Sequence, residues 1–246
     1  MPLAISDYER VMDWMQAVVA ADARAYVTAA AVNLVMSARE DRRTLTAVLE
    51  ATLAVPDGQP LVWALRALGH ARATRVYGPD LMARFFARAA RDGTPMYLYG
   101  GRTREALELL ERRLRERFPG VRIVGGFSPP FRALSEREER EVAATIDASG
   151  AQVVWVGTGQ PKQELWMHAM RPRLAAPLLV GVGAAFDFHA GLVRQAPAWM
   201  QRAGVEWVYR LWREPRRLWR RYARYNPLFV VGFARQYVRH VRDDRG

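Results

Sequence analysis

The sequence predicts an α/β fold, with a mostly parallel sheet, flanking helices and a basic, amphipathic helical appendage at the C-terminus. Short, nearly continuous apolar runs alternate with longer amphipathic segments, as expected where strands buried on both faces alternate with helices. Composition shifts near residue 194 from a nearly neutral to a strongly basic chain. We therefore expect a body of residues 1–193 and an appendage of residues 194–246.

Six runs have the character of buried strands. In chain order they are AYVTAA (25–30), TLAVPD (52–57), PMYLYGG (95–101), VRIVGGF (121–127), AQVVWVGTG (151–159) and PLLVGVGAAF (177–186). In a parallel sheet, ligands bind beyond the carboxyl ends of the strands, so the residues that end these runs are the first candidates for a site.

The segments between these runs carry helix signals. Two helix starts have capping boxes, at the pairs Ser6–Glu9 and Ser135–Glu138. Pro79 stands where a first-turn proline precedes LMARFFARAARDG, and Gly93 follows the end of that segment. The stretch TREALELLERRLRERF has the apolar stripe of an amphipathic helix.

Composition excludes several classes of protein. Half of the 246 residues are hydrophobic, which excludes disorder by composition. With no cysteine there are no disulfides or thiolate metal sites, and the four histidines lack metal-ligand spacing. We find no signal peptide and no apolar run of the roughly 20 residues that span a bilayer. We therefore expect a protein that is cytoplasmic or peripheral on a membrane.

The net charge of +12 is unevenly distributed. Residues 194–246 hold 13 arginines against four acids, a net charge of +9, while Lys162 is the one lysine of the chain. A nearly neutral body with so basic an end indicates an anionic partner at that end.

Asp57 ends the second run, in PDGQP. A carboxylate at a strand end, followed by the flexible Gly58, fits a general base, but it also fits a cap for the next helix. Arg75, in ATRVYGPD, fits a clamp for a diphosphate or an exposed loop arginine.

Glycines and polar groups end two further runs, the third and the fifth. Gly100 and Gly101 precede a helix, which suits either a phosphate-binding backbone or a tight turn. The fifth run ends in GTGQPKQELW, which holds Gly157 and Gly159. Here Gln163 is suited to binding sugar hydroxyls, or lies on a solvated first turn.

Asp187 follows the sixth run and stands between two phenylalanines. So apolar a setting is unusual for a surface acid. The side chain either contributes to the binding site or is a buried, hydrogen-bonded acid that supports the fold.

Together these segments resemble the WecG/TagA/CpsF glycosyltransferases over residues 25–227. The resemblance is carried by VPDGQPLVWALRALG, TRVYGPDLM, MYLYGG, RIVGGF, VVWVGTGQPKQELW and GVGAAFDFHAGLVRQAPAWMQRAGVEWVYRLWREPRRLWRRY. It implies a bacterial enzyme with a Rossmann-like body that moves a sugar from a UDP-sugar to a sugar on polyprenyl diphosphate, in the biosynthesis of teichoic acid, capsule or exopolysaccharide. The implied reaction is inverting and needs no metal or other cofactor.

The resemblance also implies roles for particular residues. Asp57 matches the proposed general base, Arg75 the arginine expected at the donor phosphates, Gln163 the glutamine of a P-x-Q-E motif and Thr28 a threonine that ends the first strand. Gly100, Gly101, Gly157, Gly159 and Asp187 are the expected donor-binding residues. Many members read T-x-N-x-D after the first strand, whereas Ala30 and Val32 stand here, with Asn33 as a substitute. This departure affects the identity of the sugars rather than the chemistry.

The C-terminal stretch EWVYRLWREPRRLWRRYARYNP combines arginines with aromatics, and Pro215 fits the start of a second short helix. At about 100° per residue, one arc holds Arg210, Arg213, Arg217, Arg220, Arg221 and Arg224. The opposite arc holds Leu211, Leu218, Tyr222 and Tyr225, flanked by Trp212 and Trp219. This pattern indicates helices that lie on a membrane, with arginines at anionic lipid or a diphosphate.

We therefore expect a peripheral protein on the inner face of the cytoplasmic membrane. In a plainer interpretation, the tryptophans pack on the body and the arginines face solvent. Two other functions stay open: a nucleic-acid-binding protein that uses the arginines and aromatics, and a soluble sugar-nucleotide enzyme whose tail joins identical chains into oligomers. No nucleic-acid motif supports the first, so we expect no nucleic acid among the partners.

Overall fold

A computed structural model describes residues 2–243. Its centre is one six-stranded, all-parallel sheet in the order β2-β1-β6-β5-β3-β4. The strands are β1 (Ala25–Ala30), β2 (Leu53–Pro56), β3 (Pro95–Gly100), β4 (Arg122–Phe127), β5 (Val153–Gly157) and β6 (Leu178–Gly181). Each lies within one of the six predicted runs, so the α/β, Rossmann-like fold class is confirmed.

Helices cover both faces of the sheet and form the C-terminal end of the chain. They are α1 (Tyr8–Ala20), α2 (Val32–Glu40), α3 (Arg42–Leu49), α4 (Gln59–Ala67), α5 (Gly78–Asp92), α6 (Arg104–Arg117), α7 (Glu136–Ala148), α8 (Lys162–Met170), α9 (Ala185–His189), α10 (Ala198–Arg202), α11 (Glu206–Arg213) and α12 (Pro215–Asp243). None of those within the described residues is both long and apolar enough to cross a bilayer.

Two apolar cores sandwich the sheet. On one face the fully buried Trp155 of β5 packs against Phe85 and Phe86 of α5, with ring centroids 5.6 Å away in both pairs. On the other face Tyr99 of β3 stacks on Trp166 of α8, with centroids 3.8 Å apart. The central strands are therefore buried on both faces, which is why they appear in the sequence as unbroken apolar runs.

The local signals were right at most helix ends. The capping box of Ser135 and Glu138 is present, and Gly93 ends α5 with a left-handed φ of 75°. The capping box predicted at Ser6 and Glu9 is wrong, because Asp7 is the N-cap and accepts a hydrogen bond from the Arg10 amide at 2.9 Å. Aspartate is as good an N-cap as serine, and the helix simply starts one residue later.

The sixth strand is shorter than the run that predicted it. It ends at Gly181, and residues 185–189 form α9. Gly183, with a φ of 56°, turns the chain between them. A continuous apolar run does not distinguish a buried strand from a buried helical turn, so the sequence alone missed this change.

Helix α12 begins at Pro215 as predicted, but it is 29 residues long rather than short, and it contains Pro227. It packs along α2, where Arg224 and Tyr225 reach Glu40. The boundary near residue 194 stays a prediction, and residues 244–246 of the proposed appendage lie outside the described residues.

Candidate active site

A cavity of about 1360 Å³ opens along the carboxyl edge of the sheet, beneath the C-terminal helices. Residues that directly follow five of the strands border it, namely Ala31, Asp57, Gly101, Thr158 and Val182. The opposite wall comes from α11 and α12, through Glu206, Arg210, Arg217, Arg221, Tyr225 and Phe229. The cavity thus lies where a parallel sheet is expected to bind its ligand.

Asp57 lies in this cavity and does not cap the helix that follows it. Gly58 is the N-cap of α4, and no side chain accepts a bond there. The Asp57 carboxylate instead accepts a hydrogen bond from the amide of Gly78, the first residue of α5, at 2.6 Å. Burial raises the pKa of Asp57 to about 6, although Arg75 and the Gly78 amide partly offset this. An acid with such a pKa is ionised at neutral pH and is a better base than an exposed aspartate.

Arg75 is not an exposed loop arginine. Its Nε donates to the backbone carbonyl of Asp57 at 2.5 Å, and its Nη2 to Glu206 Oε2 at 2.7 Å. The guanidinium lies 4.0 Å from the ring centroid of Tyr77, whose hydroxyl donates to Glu206 Oε1 at 2.8 Å. Two of the three guanidinium nitrogens therefore bind the protein, and Nη1 makes no hydrogen bond within residues 2–243.

Thr28 and Gln163 are both fully buried, behind the wall of the cavity. The Thr28 hydroxyl donates to Glu164 Oε1 at 2.7 Å, and Gln163 Nε2 donates to the same oxygen at 2.9 Å. Gln163 Oε1 accepts from the Gly183 amide at 2.9 Å. This placement fits neither a solvated first turn nor direct contact with sugar hydroxyls. Gln163 instead holds the turn after β6 in place, and Thr28 ties β1 to the first turn of α8.

Close packing explains Gly100 and Gly157, two of the four glycines that were predicted to bind the donor. Gly101, Gly157 and Gly159 border the cavity, whereas Gly100 does not. A Cβ on Gly100, at a φ of 145°, would lie 2.7 Å from the backbone of Gly157. The tight-turn interpretation therefore accounts for Gly100.

We expect Gly157→Ala to lower the free energy of unfolding by about 1–3 kcal/mol, because overpacking forces neighbours to move. Its Cβ would lie 2.4 Å from the ring of Phe186, which is itself buried. Urea unfolding measures the change. Gly58→Ala is the control, because its Cβ would meet nothing closer than 3.8 Å. Equal stabilities of the two variants would contradict this packing argument.

Asp187 borders the cavity and is held by an ion pair. Its carboxylate binds Arg102 through two nitrogens, at 3.0 and 2.9 Å. Arg102 also reaches Glu214, which lies between α11 and α12 and pairs with Arg217 at 2.5 Å. Asp187 is therefore neither an unpaired acid on the surface nor a buried acid that only supports the fold. It belongs to a chain of charges that ties the sheet edge to the C-terminal helices.

The six C-terminal arginines do not share one arc. The helix breaks at Glu214, where φ is −134° and ψ is 56°, so positions on either side no longer follow a single helical wheel. The side chains that border the cavity are Arg210, Arg217 and Arg221. The guanidinium groups of Arg213 and Arg220 lie over the rings of Trp212 and Trp219, and Arg224 pairs with Glu40. The prediction of one continuous cationic face is wrong, because the break divides the six arginines between two helices and those of α12 meet different surroundings.

Arg210 and Arg221 are half-buried cations at the cavity. Their Nε atoms have no hydrogen-bond partner, and neither residue forms an ion pair with a carboxylate of residues 2–243. Burial lowers the pKa of Arg221, and the neighbouring positive charge of Arg210 acts in the same direction. Two partly desolvated guanidinium groups that form no direct salt bridge within residues 2–243 can attract an anion, although the carboxylates of Glu206 and Glu214 lie near Arg210.

Sequence reasoning missed Glu206 and Tyr77. Glu206 holds Arg75 across 131 positions of the chain. Its one signal was an isolated acid within the basic, aromatic stretch. Nothing in the pattern around Tyr77 distinguished it from a core tyrosine.

The part of the wall formed by the end of β1 and the start of α2 is largely apolar. Val32 borders the cavity and Ala30 is fully buried. The amide side chain of Asn33 also borders the cavity. The asparagine predicted as a substitute is therefore placed where it can reach a ligand.

The sequence model of the WecG/TagA/CpsF family of glycosyl transferases matches residues 1–243, which is essentially the whole chain. Members of this family are enzymes that take a sugar donor and a sugar acceptor in cell-surface polysaccharide synthesis. The cavity agrees with that activity, because it places a carboxylate of raised pKa and two unpaired arginines on facing walls. The chain belongs to the WecG/TagA/CpsF family of glycosyl transferases.

Proposed function

We propose that this glycosyltransferase moves a sugar, with inversion and without a metal ion, from a UDP-sugar to a sugar carried on polyprenyl diphosphate. The observation that carries the proposal is the single cavity shared by Asp57, Arg210 and Arg221. A base and a cationic diphosphate site are the two devices that such a transfer needs when protein groups alone stabilise the leaving group.

In the proposed reaction, the acceptor hydroxyl oxygen attacks the anomeric carbon of the donor as the bond to the UDP oxygen breaks. Asp57 takes the hydroxyl proton. The leaving diphosphate gains negative charge, and the guanidinium groups of Arg210 and Arg221 stabilise it, with Arg75 Nη1 as a further donor. Gly101 and Gly159 allow the sugar nucleotide to approach the backbone at the sheet edge.

A panel of UDP-sugars, incubated with a polyprenyl-diphosphate-linked sugar, tests this function. We expect one donor to give a lengthened lipid-linked product of inverted anomeric configuration, with release of UDP and undiminished rate in EDTA. A product of retained configuration, or a rate that requires an added metal, would contradict the proposed mechanism.

We also propose that the C-terminal segment rests on the inner face of the cytoplasmic membrane. Its exposed apolar side chains include Trp199, Trp212 and Trp219, with exposed fractions of 61, 73 and 51 %. Arg213 and Arg220 lie directly over two of these rings. Indole rings beside arginines suit the headgroup region of an anionic bilayer.

We expect the double substitution Arg213→Glu and Arg220→Glu to weaken binding to anionic vesicles, most strongly at low salt. Each basic residue near such a surface contributes about 1 kcal/mol, so reversal of two charges gives at least a tenfold loss in vesicle sedimentation. The matched control is Arg112→Glu with Arg113→Glu, which makes the same charge change on exposed positions of α6. Equal losses for both pairs would contradict a specific membrane face.

The same protein separates the two remaining alternatives. Binding of a single-stranded oligonucleotide, at the salt concentration of the vesicle assay, would favour a nucleic-acid-binding protein. Undiminished, detergent-free turnover of a short soluble acceptor after deletion of residues 206–246 would favour a soluble enzyme with an oligomerising tail. The cavity argues against that outcome, because the deleted helices supply Arg210 and Arg221.

A further inference from the structure

The C-terminal segment contributes a carboxylate, as well as cations, to the cavity. Glu206, the first residue of α11, accepts hydrogen bonds from Arg75 at 2.7 Å and from the Tyr77 hydroxyl at 2.8 Å. The side chains of Arg75 and Glu206 are 16 and 14 % exposed. So well-shielded a pair is not the ordinary surface ion pair, which contributes little.

Arg75 contacts the backbone of Asp57 but not its carboxylate. Its Nε binds the carbonyl oxygen of Asp57, and its Nη2 binds Glu206. The Asp57 carboxylate has the Gly78 amide as its hydrogen-bond donor instead. Glu206 therefore holds the nearest arginine in a pairing that leaves the carboxylate of Asp57 available to accept a proton.

The charges around Asp57 balance only when Glu206 is present. The charged groups that face it are Arg75 from the loop before α5, and Glu206 and Arg210 from α11. The hydroxyls of Tyr8 and Tyr77 are neutral neighbours, since burial raises the pKa of both above the ordinary value. With Glu206 neutralised, the aspartate would face two cations and no second anion.

We propose that Glu206 is a positioning residue of the transfer reaction, which engages Arg75 so that this cation does not pair with the carboxylate of Asp57. The proposal rests on the proposed function, in which Asp57 is the base. Because Glu206 belongs to α11, the base is fully competent only while the C-terminal segment is docked on the body.

Glu206→Gln tests this proposal in the full-length protein. Glutamine keeps the size of the side chain and removes the negative charge. Its one oxygen can accept from Arg75, and its NH2 group can donate to the Tyr77 hydroxyl oxygen. A titration of ¹³C-labelled aspartate carboxyl groups by NMR follows Asp57 without any substrate, and its signal is assigned by its loss in Asp57→Asn. We expect the midpoint of Asp57 to move down by about 1 pH unit, because the unopposed guanidinium groups favour the ionised form.

Glu40→Gln is the matched control, because Glu40 also ties the C-terminal segment to the body, through Arg224 at 2.9 Å, but does not border the cavity. Its variant should leave the midpoint unchanged. An unchanged or raised midpoint in Glu206→Gln, or equal shifts in both variants, would overturn the proposal. The titration does not depend on turnover. Full turnover by Asp57→Asn would therefore refute the base role of Asp57, and the effect of Glu206 on the Asp57 midpoint could still be measured.

Discussion

Asp57→Asn is expected to lower turnover by about 10²–10⁴-fold, which is the usual contribution of a general base. Asparagine can still accept the hydrogen bond from the Gly78 amide through its side-chain oxygen, but it has no site that takes a proton at neutral pH. Initial rates of lipid-linked product formation at saturating donor and acceptor measure the loss. Turnover within tenfold of the wild-type value would exclude Asp57 as the base.

The pH dependence of the rate is a second test of the proposed base role of Asp57. Because the base must be ionised, the wild-type rate should fall as the pH is lowered through about 6, the pKa of Asp57. The residual rate of the asparagine variant should lack this acid limb. Asp80→Asn, on the exposed side of α5, changes a neighbouring carboxylate that does not border the cavity and should keep the wild-type profile.

The unfolding free energy of Asp57→Asn shows whether the variant is folded. The direction in which this free energy changes with pH follows from the raised pKa of Asp57. Between the ordinary value of 3.8 and about 6, the folded protein binds more of the Asp57 proton than the unfolded chain does. The wild type therefore loses stability as the pH rises through this window. The unfolding free energy of the asparagine variant relative to wild type should increase from about pH 4 to about pH 6 and then level off. A loss of turnover that accompanies this gain cannot come from unfolding.

Arg221→Gln is expected to lower turnover by about 10²–10³-fold, the effect of removing one preorganised donor to a developing anion. The side chain borders the cavity, its Nε has no hydrogen-bond partner among the described residues, and Arg210 repels it. Removing it should weaken UDP binding, measured by calorimetry, without lowering the melting temperature. A wild-type affinity for UDP in this variant would contradict the proposed diphosphate site.

Arg220→Gln is the matched control for that experiment. The two arginines are neighbours on α12, but the guanidinium of Arg220 lies over the ring of Trp219 and outside the cavity. Its loss should reduce vesicle binding and leave turnover of a soluble acceptor unchanged. Equal effects of the two variants on soluble turnover would indicate that net charge, rather than position, is what matters.

Local signals in the sequence determined much of the architecture. Continuous apolar runs located all six strands, and the capping box of Ser135 with Glu138 and the left-handed Gly93 fixed two helix ends. The strand-end position of Asp57 also sufficed to place it at the binding edge. These features follow from neighbouring residues, since strand burial, caps and turns depend on a few positions of one segment.

Only the tertiary structure decided what each polar side chain touches. Glu206 meets Arg75 across 131 residues, and Gln163 turns away from the cavity to hold Gly183. On α12, Arg221 borders the cavity whereas its neighbour Arg220 does not. A helical wheel assumes one unbroken helix and carries no information on which face another element covers. Pairings between distant parts of the chain are set by how the elements pack. The family could therefore be inferred from the sequence and Asp57 proposed as the base, but the charges that surround Asp57 could not be predicted.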